Sequence, residues 1–259
     1  MADILNRIVE TKKQEVGDLL RSRKLSDWES GARGSAPARD FLYQMALPGI
    51  RVIAEVKKAS PSAGILRAPF IPGEIAKSYA DHGAACISVL TDKDYFQGKL
   101  ADLEEVRAAV PLPVLRKDFL IDPVQVFEAR IHGADAILLI AEILSQAQLI
   151  EMHQLAESLG MAVLVELHDA ASLDKVLAAK PKLVGVNNRD LRTFQVRLEH
   201  TLEIAANLPS DTMLVSESGI KTPYDIGYLV RGGVRRFLVG EAFMRSPSPG
   251  QRLAELISV

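Results

Sequence analysis

A single cysteine in 259 residues leaves this chain without a disulfide framework or a cysteine-built metal site. That residue, Cys86, lies in the apolar run Ala-Cys-Ile-Ser-Val-Leu, where a small buried hydrophobe is expected rather than a thiolate nucleophile. Excess charge of one sign is also lacking. With 31 basic against 33 acidic side chains the net charge is -2, which provides no basic field for gathering nucleic acid or an anionic membrane. Long hydrophobic runs are missing as well: no segment approaches the roughly 18 apolar residues of a membrane span. The opening MADILNRIVETKKQEV carries Asp3 early and builds no secretory h-region. These exclusions leave small-molecule chemistry in the cytoplasm as the expectation, carried out by a monomer or a weak homo-oligomer.

What is present suits one large core, since 48% of the residues are apolar and 25% charged. From Arg51 onward, short aliphatic or β-branched runs alternate with segments of helical periodicity. The runs are RVIAEV from Arg51, ACISVL from Ala85, PVLRK from Pro113 and DAILLI from Asp135, then MAVLVE from Met161, KLVGVN from Lys182, TMLVSE from Thr212 and RRFLVG from Arg235. Helical segments follow at Pro72–His82, Leu100–Ala109, Pro123–His132, Ser145–Leu159, Asp169–Ala178, Leu198–Asn207, Pro223–Val230 and Pro249–Ile257. Near-continuous apolar strands mean burial on both faces, as a parallel sheet covered by helices requires. The reading is therefore an α/β chain forming one (β/α)8 TIM barrel over residues 1–259, with 1–50 as an N-terminal helical extension.

In that extension Ile4, Ile8, Val9, Val16, Leu19 and Leu20 recur at helical spacing, so the opening helix needs a surface to cover. Gly31–Pro37 reads as a breaker-rich connection and Phe41–Leu47 as a second, short helix. A weak internal echo, Asp81-His82-Gly83-Ala84 against Ile131-His132-Gly133-Ala134, places a histidine in a last helical turn and a glycine at a left-handed cap. Both histidines are thereby read as caps. The others show no metal-ligand spacing, and no glycine-rich dinucleotide fingerprint follows a strand, so neither metal nor cofactor is expected.

Barrel active sites form at the C-terminal ends of the strands. Strand one ends Ala54-Glu55-Val56-Lys57, so alternation puts Glu55 and Lys57 on one face. Strand three ends in Lys117, strand five in Glu166, strand six in Asn187, and strand seven passes Ser216-Glu217-Ser218. One register gathers Glu55, Lys57, Lys117, Glu166, Asn187 and Ser218 around the mouth as the catalytic candidates. Carboxylates and ammonium groups converging in a low-dielectric mouth shift each other's pKa values, which lets one site hold an acid and a base near neutrality. A purely structural ion-pair network would look the same in sequence.

After strands seven and eight stand Ser218-Gly219-Ile220 and Val239-Gly240-Glu241-Ala242. Glycines let backbone N–H groups approach an anion, and the loops after these two strands are the usual phosphate site of the fold. Gly219, Gly240 and Glu241 are thus phosphate-binding candidates. The carboxylate of Glu241 would repel phosphate and is expected to point away, leaving its N–H to the ligand.

These residues resemble the indole-3-glycerol-phosphate synthase family of tryptophan biosynthesis. The resemblance runs through Ile53–Ser62, Leu90-Thr91 with Tyr95-Phe96, Leu115–Phe119, Val165–His168, Gly185–Leu191, Ser216–Ile220 and Leu238–Ala242, in order along nearly the whole chain. It implies a carboxy-lyase that closes the indole ring of 1-(2-carboxyphenylamino)-1-deoxyribulose 5-phosphate with loss of carbon dioxide and water. It also implies Lys117 as the acid at the ketone, Glu166 and Glu55 sharing the stabilising and proton-removing tasks in unassigned order, and Lys57 in phosphate binding or acid work. Asn187 and Ser218 would hold hydroxyls or the reacting edge, and Arg189 the anthranilate carboxylate. Phe96, Phe119 and Leu238 would line the ring pocket, although Leu238 equally suits core packing. Ser60 would belong to a closing loop after strand one, and the opening helix would cover the mouth or plug the barrel's bottom. The rival readings are a phosphoribosylanthranilate isomerase-like barrel, which does not call for the Glu55, Lys57, Lys117 and Glu166 set, and a non-catalytic phosphometabolite binder, which would have a broken one.

Overall fold

In the computed structural model of the protein, which describes residues 3–190 and 195–258, the apolar runs become eight parallel strands. They are β1 (Arg51–Val56), β2 (Cys86–Leu90), β3 (Val114–Lys117), β4 (Ala136–Ile140), β5 (Ala162–Leu167), β6 (Leu183–Asn187), β7 (Met213–Glu217) and β8 (Arg236–Val239). Each lies within one residue of its sequence boundary. Every strand pairs with its chain neighbour, and β8 closes on β1 through Arg51↔Arg236 to Ala54↔Val239.

Alternation along the strands sorts the apolar side chains into two layers. Ile53, Cys86, Leu115, Leu138, Leu164, Leu183, Val215 and Leu238 fill the barrel interior. Val52, Ala54, Val56, Ile87, Val89, Val163, Val165, Val184 and Phe237 face the helices outside. Cys86 is fully buried, and burial pushes its thiol well above the usual range, as a core residue requires. The outer helices include α4 (Pro72–Asp81), α5 (Leu100–Ala109), α6 (Pro123–Ile131), α7 (Gln146–Ser158), α8 (Leu173–Ala178), α9 (Glu199–Ala205), α10 (Pro223–Arg231), α11 (Glu241–Met244) and α12 (Pro249–Leu256). His82 and His132 sit at the C-caps of α4 and α6, where their Nδ1 atoms meet Ser78 O and Glu104 Oε1, both at 2.7 Å. Gly83 and Gly133 follow with φ of +93° and +86°, the left-handed conformation in which glycine carries no Cβ penalty.

The N-terminal segment divides between the two ends of the barrel. Helix α1 (Asp3–Ser22) lies over the mouth, with Ile4, Leu5 and Ile8 lining the cavity there. Helix α3 (Phe41–Ala46) closes the opposite end, inserting Phe41 and Met45 beneath Ile53, Cys86 and Leu115. Between them α2 (Leu25–Arg33) corrects one sequence boundary, because the supposed connection from Gly31 is helical through Arg33. Tertiary packing overrides the breaker signal there: Trp28 and Ala32 are buried with Val124 and Phe127. A Cβ on Gly31 would press on Ile131 Cδ1 at 3.1 Å.

Candidate active site

The interior stripe of each strand ends in a polar residue, and these residues meet above the apolar core. Glu55 continues the face of Ile53, Lys117 that of Leu115, Glu166 that of Leu164, and Asn187 that of Leu183. Together they line a cavity of about 510 Å³ that also takes in Lys57, Ser60, Phe96, Phe119, Arg189, Ser218, Gly219, Leu238, Gly240 and Glu241. Every site residue expected from sequence therefore reaches this one cavity. The block around Arg189 extends to Leu191, which lies outside the described residues.

At the centre, Lys117 Nζ donates to Glu166 Oε2 at 3.0 Å and lies 3.5 Å from Glu217 Oε2. Asn187 Nδ2 donates to the other oxygen of Glu166 at 3.2 Å. Across the mouth Lys57 Nζ stands 2.5 Å from Glu55 Oε2. Burial works against the Lys117 ammonium, but Glu166, Glu217 and Glu55 outweigh it and hold the group charged well above the usual lysine range. Burial likewise works against the Glu166 carboxylate, yet the Lys117 charge and the surrounding donors bring it below its ordinary range. Glu217 goes the other way, because burial and the adjacent Glu166 charge push it well above. The two carboxyls beside one ammonium are thus pushed in opposite directions, the kind of divergence by which one site holds both an acid and a base.

Glu217 is a residue the sequence reading passed over. Alternation counted from Ser218 would turn Glu217 outward, but β7 runs with Val215 and Glu217 inward. Ser216 faces the helices, bonded to Asn188 Nδ2 and Thr201 Oγ1 at 2.9 and 2.8 Å. Ser218 still lines the cavity because its φ of +66° breaks the strand's alternation. A non-glycine residue in this region is strained, and such strain concentrates at functional sites. A signal for Glu217 lay on the neighbouring strand: a Cβ on inward-facing Gly185 would stand 2.1 Å from Glu217 Oε1. Gly240 makes the same kind of room for Glu55, whose Oε2 would lie 2.1 Å from its Cβ.

The aromatic end of the cavity is formed by Phe96 and Phe119, whose rings stand 6.0 Å apart and tilted by 36°. Above β1, in the loop that follows it, Ser60 pairs with Gly64 in a short antiparallel turn. Glu241 departs from expectation. Its carboxylate borders the cavity, with Oε1 3.0 Å from Arg245 Nε and Oε2 3.4 Å from Arg189 Nη2. Two neighbouring guanidinium groups, which the sequence reading did not weigh, supply the reason.

Lys12 was also missed. This fully buried ammonium of α1 lies 2.9 Å from Asp92 Oδ2, Asp118 Oδ1 and Glu15 Oε2. It ties the helix to the loops that follow β2 and β3, next in sequence to Lys117. Its own signal is positional, since Lys12 falls between Ile8 and Val16 at a spacing of four, inside the apolar stripe. Among the described residues, no group of three or more His, Cys, Asp or Glu side chains could hold a metal ion. No described helix is long and apolar enough to cross a membrane.

A TIM barrel with a buried Lys–Glu pair at the strand tips and glycines lining the cavity after β7 and β8 has the frame of a barrel enzyme. Comparison with known proteins gives the particular family. The model of the family described as indole-3-glycerol phosphate synthase matches residues 5–256. An indole-3-glycerol phosphate synthase of Polaromonas sp. is 49% identical over the full length of both chains. That of Rhodopirellula baltica is 51% identical over 94% of this chain and 95% of its own, and that of Chromobacterium violaceum 51% over 99% and 98%. The chain belongs to the indole-3-glycerol phosphate synthase family. Among solved structures, a mandelate oxidase mutant with an FMN adduct superposes at a TM-score of 0.60 over 89% of this chain and 91% of its own, at 15% identity. KGPDC from Streptococcus mutans does so at 0.61 over 81% and 96%, at 11% identity. These two share the barrel fold.

Proposed function

We propose that this chain closes the indole ring of 1-(2-carboxyphenylamino)-1-deoxyribulose 5-phosphate, releasing carbon dioxide and water. The observation that carries the reading is the Lys117–Glu166 pair at 3.0 Å inside a mouth that ends in aromatic rings on one side and in Gly219 and Gly240 on the other. The aryl group sits against Phe96, Phe119 and Leu238, its carboxylate on Arg189, and the phosphate on the backbone of Gly219, Gly240 and Glu241. As the aromatic carbon attacks the ketone, negative charge grows on the ketone oxygen, and the Lys117 ammonium stabilises and protonates it. Loss of carbon dioxide restores the aromatic ring. The new hydroxyl then leaves as water with a proton from Lys57, while a carboxylate, Glu166 or Glu55, removes the proton from the adjacent ring carbon. Asn187 and Ser218 hold the reacting edge and the hydroxyls. Ser60, in the turn over the mouth, helps exclude water before decarboxylation.

The same reading takes residues 1–259 as one working unit with 1–50 as its extension. It places the protein in the cytoplasm as a monomer or weak homo-oligomer without a nucleic-acid partner, in keeping with its near-balanced charge. The test is direct. Purified protein and the carboxyphenylamino substrate, in chelator and without added cofactor, are expected to generate indole fluorescence. Unchanged fluorescence at high enzyme concentration would overturn the reading.

A further inference from the structure

Glu241 is an anomaly in a cavity that must receive two anionic groups. Its carboxylate borders the glycine end, beside Gly240, yet it also reaches across β7 to Arg189, which follows β6. The backbone of Arg189 is fixed: its N–H donates to Asn187 Oδ1 at 3.1 Å, and the residue bridges Val196. Only the side chain can redirect. The Arg189–Glu241 contact at 3.4 Å is long, whereas Arg245 Nε, four residues on and itself the more exposed guanidinium, holds the other carboxylate oxygen at 3.0 Å. Glu241 therefore has a more distant partner to release and a closer one to keep.

We propose that Glu241 is an internal stand-in anion that couples phosphate binding at the glycine loops to the freedom of the Arg189 guanidinium. It holds Arg189 until a phosphate group occupies the Gly219–Gly240 end, and its withdrawal toward Arg245 then frees Arg189 to receive a carboxylate. The inference rests on the substrate reading above and adds an order of events to it. A phosphate dianion at Gly240 repels the Glu241 carboxylate, which is already paired with Arg245 on its own short helix, and the pair with Arg189 is the one that breaks. Two anions entering one cavity ordinarily weaken each other's binding. With Glu241 as the intermediary the sign reverses, and phosphate binding prepares Arg189 for the carboxylate. A substrate carrying both groups is then favoured over one carrying either alone.

Calorimetric titration of the full chain with 2-(methylamino)benzoate, alone and in saturating inorganic phosphate, tests this. In the unaltered protein, phosphate is expected to tighten the benzoate by about fivefold, within the usual range of coupling between sites. In Glu241→Gln the benzoate is expected to bind more tightly without phosphate, and added phosphate to weaken it. Arg189→Gln is expected to lose the phosphate-dependent gain. The proposal is overturned if phosphate weakens or does not change benzoate binding in the unaltered protein. It is equally overturned if Glu241→Gln or Arg189→Gln keeps the tightening. Failure of phosphate or benzoate to bind at all would overturn the substrate reading as well, whereas binding of both without coupling removes this inference alone.

Discussion

The two ends of the barrel use charge in opposite ways. At the floor Asp135 is fully buried, and both its oxygens are used: Oδ1 accepts from Arg39 N and Arg107 Nη2, and Oδ2 from Val114 N. Arg39 spends its guanidinium on the carbonyls of Arg107, Val110 and Leu112, while Arg51 and Arg236 hold the carbonyls of Gln44 and Met45 in α3. Asp135 and each of these arginines close a backbone valence. At the mouth two buried carboxyls, Glu166 and Glu217, share one ammonium, and burial together with the Glu166 charge pushes Glu217 well above its ordinary range. Crowding two buried carboxyls onto one cation costs stability, and a fold tolerates it where chemistry needs the groups. The floor is built for fit and the mouth for reactivity.

This contrast can be broken most sharply at Lys117. Lys117→Ala is expected to lower kcat about a thousandfold, in the middle of the span for a lost general acid, with KM little changed. A rise in KM alone, measured by steady-state kinetics, would make Lys117 a binding group. At the floor the same comparison predicts the reverse. Phe41 is 1% exposed beneath the interior layer. Phe41→Ala is expected to cost about 3–5 kcal/mol of stability, read as a lower urea midpoint, while kcat per folded molecule stays within a factor of about two. A large fall in kcat from Phe41→Ala would erase the distinction between the ends.

Much of this division was legible before the structure. Period-two alternation is unambiguous where a strand is short, apolar and ends in one charge, so Glu55, Lys117, Glu166 and Asn187 were placed on the inward face correctly. It failed in β7, where Ser216, Glu217 and Ser218 offer polar residues on both faces and the left-handed Ser218 breaks the period. Helical periodicity identified the apolar face of α1 but not which end of the barrel it covers. That choice is made by Lys12, whose partners Asp92 and Asp118 lie about 80 and 106 residues away in sequence. The orientation of Glu241 depends on Arg245, an i,i+4 neighbour open to sequence reading, and on Arg189, for which no local pattern joins strands six and eight.

The mouth also contains an internal comparison, between Asp118 and Glu217, which titrate in opposite directions. Burial opposes the Asp118 carboxylate, but Arg116 and Lys12 outweigh it and bring its pKa to about 2, below the roughly 3.9 of an unfolded aspartate. The folded state therefore gains from the ionised group above about pH 4, and that gain, roughly 2 kcal/mol, is lost as pH falls toward 2. Chemical denaturation from pH 5 to pH 2 is expected to trace this loss. Glu217 is raised instead, so its folded form binds a proton more tightly than the unfolded chain does. Its contribution is complete at acid pH and diminishes as pH rises through the unfolded value of about 4.3 and beyond. Replacing it with a neutral group removes the penalty for ionisation in a site it cannot satisfy. Glu217→Gln is thus expected to stabilise the protein by about 1 kcal/mol at pH 8, with less gain at pH 5, while turnover falls. Destabilisation at pH 8 would mean that the Glu217 charge is matched in the folded protein, and that the mouth is organised like the floor.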